Sequence, residues 1–585
     1  MSDGTAAGTT QLADIAAGAG TSYPSQFTAA GGWVYFAAQA NATGAELWRT
    51  DGTAANTALV VDLRPGPVGA SPSGLTALGG DLLFRADDGS SGAELWRSDG
   101  SVVGTSLVVD LEAGPGSSAP QGLHALPSGQ ALLSADVDLT GREPYLTDGT
   151  AVGTALLSDV HQASNAQTPS SEPFGLTDAL GVVYLRATDG VGGRELWRTD
   201  GTALVADLTG DASSSWPRSM TRVGNDVFFV ADDGVHGEEL WRTNGLAAGT
   251  ALVQDLRPGP QSSAPEMLVD VGGVAYFRAN DGVHGAELWR SDGTSAGTAM
   301  VKDIHPGASP FGAMSGLHRV ATLGAGLVLA ADDGVSGQEL WLSDGTASGT
   351  TLLADLAPGP ASSEPRDFTE VGGALFFTAD DGVHGTELWS SDGTAAGTQL
   401  ARDVVAGAGG TTILSIADLQ GVAMFTADDG VHGLELWRSD GTALGTSLVA
   451  DIRPGPGGSL PSWMTAITGN VWFEADDGAH GAELWKSDGT ALGTVLVQDL
   501  KPGPQGSGPQ SFVLSGGGLF FTADDGVKGT EVWTVPPGAT FAPLSSTGCG
   551  APLRTPTLEV STPALGGAAV CSGVAASRAC RASWS

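Results

Sequence analysis

Apolar and polar residues alternate along this chain in short runs and rarely fall at helical spacing. Val471 to Glu474 (V-W-F-E), Glu435 to Arg438 (E-L-W-R) and Ser447 to Ile452 (S-L-V-A-D-I) step with a period of two, the period of a strand. Between the runs stand A-D-D-G, S-D-G-T and R-P-G-P. Their Gly, Asp and Pro residues supply the positive φ, side-chain-to-backbone hydrogen bonds and fixed φ that turns require. No stretch holds the ~10–12 residues of 3.6-residue periodicity that a helix needs. Residues 461 to 500 predict four strands, around P-S-W-M-T-A-I, V-W-F-E-A, A-E-L-W-K and V-L-V-Q-D-L.

This pattern recurs eleven times at a spacing close to 48, marked by Trp48, Trp96, Tyr145, Trp197, Trp241, Trp289, Trp341, Trp389, Trp437, Trp485 and Trp533. Four antiparallel strands in such a unit match a propeller blade, whose repeats run ~40–50 residues. The expected fold is therefore all-β, a β-propeller over residues 1–535, as one large ring or as two tandem rings of about six and five blades. The longer step from Trp289 to Trp341 puts a possible seam near 305–323. The chain opens with Ser2-Asp3-Gly4-Thr5, the second half of a unit, and the last unit stops after Trp533. An N-terminal strand is thus placed to complete the last blade and leave no open edge; a chain begun inside a repeat gives the same start. Pro144 falls within a strand, where proline suits only an edge.

The 585 residues carry 26 Lys plus Arg against 65 Asp plus Glu, a formal charge of −39. That lacks the basic stripe nucleic-acid binding requires. The array has no cysteine; Cys549, Cys571 and Cys580 lie in a Gly-, Ala-, Ser- and Thr-rich segment, 536–585, that reads as a flexible tail. No apolar run is long enough to span a membrane as a helix, and the first residues lack the pattern of a signal peptide.

The core E-L-W-R-S-D-G-T-A-x-G-T, as at Glu46 to Thr53, Glu287 to Thr294, Glu387 to Thr394 and Glu483 to Thr490, resembles the bacterial ELWxxDGT repeat family over about nine tenths of the chain. The resemblance implies a bacterial repeat protein outside the cytoplasm, secreted or at the cell surface, with no assigned reaction. S-D-G-T-x-x-G-T also looks like the Asp-box turn of sialidase-type propellers, without its terminal aromatic.

The Glu of E-L-W recurs in all eleven units, from Glu46 to Glu531, as does the Asp of L-V-x-D-L, from Asp14 to Asp499. A catalytic carboxylate pair needs one cleft that separates two pKa values, so eleven copies argue for a structural duty: accepting backbone N–H bonds at corners. The loops at Asp232-Asp233, Asp332-Asp333, Asp380-Asp381, Asp428-Asp429, Asp476-Asp477 and Asp524-Asp525 offer paired hard oxygens for part of a Ca²⁺ shell; an Asp-Gly hairpin explains the same letters. No catalytic or metal residue is assigned, and no cofactor beyond that possible Ca²⁺. His236, His284, His384, His432 and His480 share one loop position with Ser91, Ser336 and Lys528, the mark of a solvated tip. Residues that the units do not share carry the most functional weight: Trp216, Arg218, Trp463 and Arg319 first, then Met220, Arg222, Trp472, Phe311, Met314 and His318. Aromatics and Arg are enriched in binding hot spots. The expected function is a non-enzymatic binding or adhesion scaffold for a glycan or protein surface ligand, with no membrane span. The alternative is a glycan hydrolase or lyase with its site in the central channel.

Overall fold

The computed structural model describes residues 10–18, 20–137, 141–157, 170–179, 182–189, 192–199, 203–307, 316–324, 326–467, 469–515 and 518–535. Among these there is no α-helix, only two single 3-10 turns, Ala54–Asn56 and Ala247–Gly249. Eleven four-stranded antiparallel blades form one ring. In blade 10, strands Ser462–Ile467, Asn470–Asp476, Ala482–Ser487 and Val495–Gln498 pair in that order, as the alternation predicts. First strands of neighbouring blades lie against one another, so they are innermost; that of blade 11 (Gln510–Ser515) meets that of blade 1 (Ser25–Ala30).

The ring closes as the unit boundaries predict. Thr10 and Gln11 pair antiparallel with Thr534 and Trp533, supplying the fourth strand of blade 11. The expected choice between one ring and two resolves to one. Part of the extra length before blade 7 falls in its innermost strand, Gly316–Leu323, which runs eight residues where those of blades 6 and 8 run six. Gly316 of blade 7 pairs directly with Ala286 of blade 6, across the suspected seam.

Pro144 corrects the edge expectation. It lies in the third strand of blade 3, paired with Ser134. Its carbonyl accepts from Leu157 N on the side of the outer strand. That outer strand, Ala155–Leu156, is only two residues long, so the ladder has ended where the missing N–H would be needed.

The recurrent aromatic is core. Trp389 of blade 8 packs among Val328, Leu340, Leu353 and Leu356 of blade 7 and Leu375, Phe377 and Ala379 of its own blade. Its indole donates to Ala379 O at 3.2 Å. Each blade buries its apolar face against the next, which is why a single unit needs its neighbours. Residues 536–585, with all three cysteines, lie outside the described residues.

Candidate functional site

The recurrent Glu is a clamp between blades. Each of the eleven accepts backbone N–H bonds from the segment leading to the next blade. Glu94 takes the N–H of Leu111 and of Ser118 and the Ser118 hydroxyl at 2.5 Å; Glu239 takes Leu256, Ser263 and the Ser263 hydroxyl. Glu46, Glu143, Glu195, Glu287, Glu339, Glu387, Glu435, Glu483 and Glu531 repeat the theme. These carboxyls are inaccessible to solvent or nearly so. Burial pushes Glu46, Glu287, Glu387, Glu483 and Glu531 up to about 7 against the pull of those donors. In blade 8 the usual Ser is Thr411, which turns to Asp428 O, and Glu387 Oε2 is buried without a partner among the described residues.

The paired-Asp loops are closed on themselves. Asp232 Oδ1 accepts from Gly234 N, and Asp233 Oδ1 accepts from Val235 and His236 N. Asp233 Oδ2 meets His236 Nδ1 at 2.7 Å. The same histidine contact recurs at His284, His384, His432 and His480. These rings fold back on an Asp rather than standing free in solvent, and that hydrogen bond raises their pKa. The first Asp of the loop also takes a cation from the preceding blade: Arg64 to Asp87, Arg453 to Asp476 at 2.6 Å, Lys501 to Asp524 at 2.7 Å.

The D-G-T corners are a third repeated network. Asp292 Oδ1 accepts the N–H and hydroxyl of Thr294, and Ser291 and Thr298 hydroxyls meet at 2.7 Å. A Cβ on Gly297 would stand 2.1 Å from Asp292 Oδ1, which is why the A-x-G-T step keeps glycine.

What the blades do not share gathers at the mouth of the ring, where the segments between blades enter the innermost strands. Two positions there adopt left-handed backbone in most blades: the residue two before the innermost strand and the second residue within it. Non-glycine side chains occupy many of them, including Tyr23, Trp216 (φ 51°), Glu364, Met267, Asp367 and Trp463 (φ 58°). Such backbone is unfavourable for residues with a Cβ. Trp216 is 47% exposed and Trp463 56% exposed.

The four foremost candidates occupy different parts of the mouth. Trp216 lies between blades 4 and 5 against Arg194 and Arg186, whose guanidinium carbons stand 4.8 and 5.3 Å from its ring centre. Arg186 also stands 5.1 Å from the ring of Phe174, which is 67% exposed. Arg218 is held by Glu238 through Nε at 3.3 Å and Nη2 at 2.9 Å. Arg319 lines a cavity of about 510 Å³ spanning blades 6 to 8, with Met267, Arg278, Gln338, Glu364, Pro365 and Arg366. Trp463 stands in blade 10, beside Ser462, whose hydroxyl bonds Glu474 at 2.9 Å; burial raises the Glu474 pKa. Of the remaining candidates, Trp472 is buried between blades 10 and 11 and Met220 packs against the core. Exposed Arg222 bonds Gly224 O. Phe311, Met314 and the side chain of His318 lie outside the described residues.

Sequence reasoning passed over Phe174, Arg186, Arg194, Arg278, Arg366 and Glu474. Their signal is substitution at a fixed register. Arg186 and Arg278 stand in the second strand opposite the first residue of the innermost one, a position that holds Arg85 in blade 2, Glu474 in blade 10, Ser134 in blade 3, and Ala, Val or Thr in blades 1, 5 and 8. Lys486, buried with its pKa lowered by burial to about 7, was passed over likewise. It replaces an arginine that in blades 6 and 9 reaches the next blade's corner, Arg290 to Gly345 O and Arg438 to Gly489 O.

No family model and no curated protein matches the chain. Among solved structures it is similar to puromycin hydrolase (14% identity, 63% of this chain and 60% of that one, TM-score 0.25). It is also similar to a GH74 enzyme of Niastella koreensis (9%, 88% and 84%, 0.25) and to a prolyl endopeptidase (12%, 71% and 56%, 0.28). The chain thus spans less than two thirds of the length of puromycin hydrolase. At these TM-scores no functional statement rests on the likenesses. No helix among the described residues is long and apolar enough to cross a membrane.

Proposed function

We propose that this protein is a non-enzymatic repeat scaffold of the ELWxxDGT kind, secreted or held at the cell surface, that binds a glycan or protein ligand through the mouth of its ring. The observation that supports this reading is the division of labour among its side chains. All eleven recurrent Glu residues are consumed in holding one blade to the next, while Trp216, Trp463 and Arg319, which the blades do not share, stand exposed at the mouth. Ring proteins bind through what their blades do not share.

The competing reading is a glycan hydrolase or lyase acting in the central channel, and one observation favours it. Glu474 is an unrepeated acid with a raised pKa near the exposed Trp463, as a general acid requires. Glycoside hydrolysis by the usual route needs a second carboxylate across the scissile bond, and the partner Glu474 meets is Ser462. A panel of polysaccharides decides between the two. Binding without new reducing ends or unsaturated products is expected. Turnover that Glu474→Gln abolishes would overturn the scaffold reading.

A further inference from the structure

The arginines of the mouth are unevenly placed. In blades 9, 10, 11 and 1 the positions facing it carry no arginine and one acid, Glu474, whereas blade 2 holds Arg85 and blades 4 to 8 supply Arg186, Arg194, Arg218, Arg278, Arg319 and Arg366. Four of these meet acids of their own surroundings: Arg194 with Glu172, Arg218 with Glu238, Arg278 with Glu266 and Arg366 with Glu364, which leaves Arg186 and Arg319 without an acidic partner among the described residues. Two of these guanidiniums have a donor in want of an acceptor: the Nε atoms of Arg186 and Arg278 are buried and unpartnered among the described residues. They occupy the same register two blades apart. A buried N–H left without a partner is costly, most of all on a charged group, and an incoming anion relieves it. Arg278, Arg319 and Arg366 converge on the 510 Å³ cavity, large enough for a sugar residue.

The second feature is aromatic. Trp216 and Phe174 flank the Arg186 guanidinium and keep much of their surface in solvent. Flat exposed rings beside planar guanidiniums suit a ligand that alternates apolar faces with carboxylates. A uronate chain has that chemistry: each ring presents a C–H face and one carboxylate. The formal charge of −39 does not forbid it, because at ordinary ionic strength the field at a site is set by groups within a Debye length, ~8–10 Å.

We propose that the arginine side of the mouth binds an acidic, uronate-containing polysaccharide. Its carboxylates pair with Arg186, Arg194, Arg278 and Arg319, and its ring faces stack on Trp216 and Phe174. This rests on the scaffold reading and narrows it to a ligand class and a place.

The test is calorimetric titration of the full chain with polygalacturonate, with its fully methyl-esterified form, and with poly-glutamate, while the mixtures are examined for cleavage. Polygalacturonate should bind. Esterification, which removes the charge and keeps the rings, should weaken binding at least tenfold. Arg278→Gln with Arg319→Gln should cost roughly tenfold or more, in line with the strength of charge-assisted bonds, and Trp216→Ala several-fold. Trp463→Ala, on the other side of the mouth, should change nothing. Melting curves confirm that each variant folds, and the two changes attack the site from different elements. Equal binding of acid and ester would overturn the proposal, as would poly-glutamate binding as well as polygalacturonate, indifference to both variants, or no binding. Any of these leaves the scaffold reading standing, whereas cleavage products would sink that reading whatever the affinity.

Discussion

Ser22 Oγ donates to Glu531 Oε2 at 2.6 Å across 509 residues of chain. Ile15 and Ala16 N–H groups reach the same carboxylate at 3.1 and 3.2 Å. This is the clamp that joins neighbouring blades elsewhere, as between Glu435 and Ser459 or Glu239 and Ser263. The last blade therefore grips the first with the carboxylate-to-backbone contact that every blade uses for its successor. Closure needs no special device, only a first segment that supplies both an outer strand and a Ser at the right place.

Glu531→Ala should accordingly loosen the ring at its seam. It leaves two buried N–H groups without an acceptor, while the Ser22 hydroxyl keeps Thr530 O at 2.8 Å; at about 1–3 kcal/mol for each buried group stranded, a total loss of about 2–6 kcal/mol is expected. Glu531→Gln keeps one carbonyl acceptor and should lose less. Denaturant midpoints measure both; equal, negligible losses would show that the clamp does not hold the closure.

Trp389→Ala should cost ~3–5 kcal/mol, the range for emptying a large aromatic from a packed core. The same denaturation measurement checks it. A loss under about 1 kcal/mol, the scale of a surface change, would mean that the blade interface does not depend on this ring.

Stability should fall as pH rises from about 5 to about 7.5. Burial raises ten of the clamp Glu residues, five of them to about 7, and the Asp contacts raise the five loop histidines. A group whose folded pKa exceeds its unfolded one stabilises fully below the unfolded value, and that contribution is lost as pH climbs through the folded value. Both sets therefore act in one direction in this window. Lys486, lowered to about 7, acts oppositely above neutrality, but as a single group. At the acid end the corner Asp residues with lowered pKa, such as Asp292 and Asp440, lose their contribution as pH falls below the usual carboxylate range. Melting temperature across pH 3 to 9 should thus peak near pH 5; a peak above pH 7 would contradict this assignment.

Calcium should act on stability as its ionic strength does. The Asp oxygens of the paired loops take donors from their own backbone, from His Nδ1 and from the preceding blade's cations, so an ion would have to displace bonds already made. Melts in EDTA, in CaCl₂ and in NaCl of matched ionic strength test this, since screening alone treats the two salts alike. A specific rise with Ca²⁺ would show a metal shell in these loops.

Much of this fold was legible in the residues because each local rule agreed with the others. The strands of blade 10 lie where V-W-F-E and E-L-W-K alternate, and the turns where Asp, Gly and Pro cluster. The duty of the recurrent Glu as an acceptor of backbone N–H was also legible; its partner was not. Yet Glu94 and Ser118, Glu239 and Ser263, Glu339 and Ser363, Glu435 and Ser459, and Glu483 and Ser507 all stand 24 residues apart, an offset that announces a contact between blades. Trp216 stood out as unrepeated, while Arg186 and Arg194 hid inside near-copies of the repeat. Only the register of the strands shows that they face Trp216. Whether the array made one ring or two was not legible, because a longer step between two Trp residues can equally lengthen an innermost strand, as Gly316–Leu323 shows, and leave the ring whole.

The closed ring underlies every other statement, and single-particle electron microscopy of the full chain tests it most directly. Projections down the axis should show one ring of eleven blades with no gap between the last and the first. Two smaller rings, or an open arc with a free edge at blade 11, would contradict it.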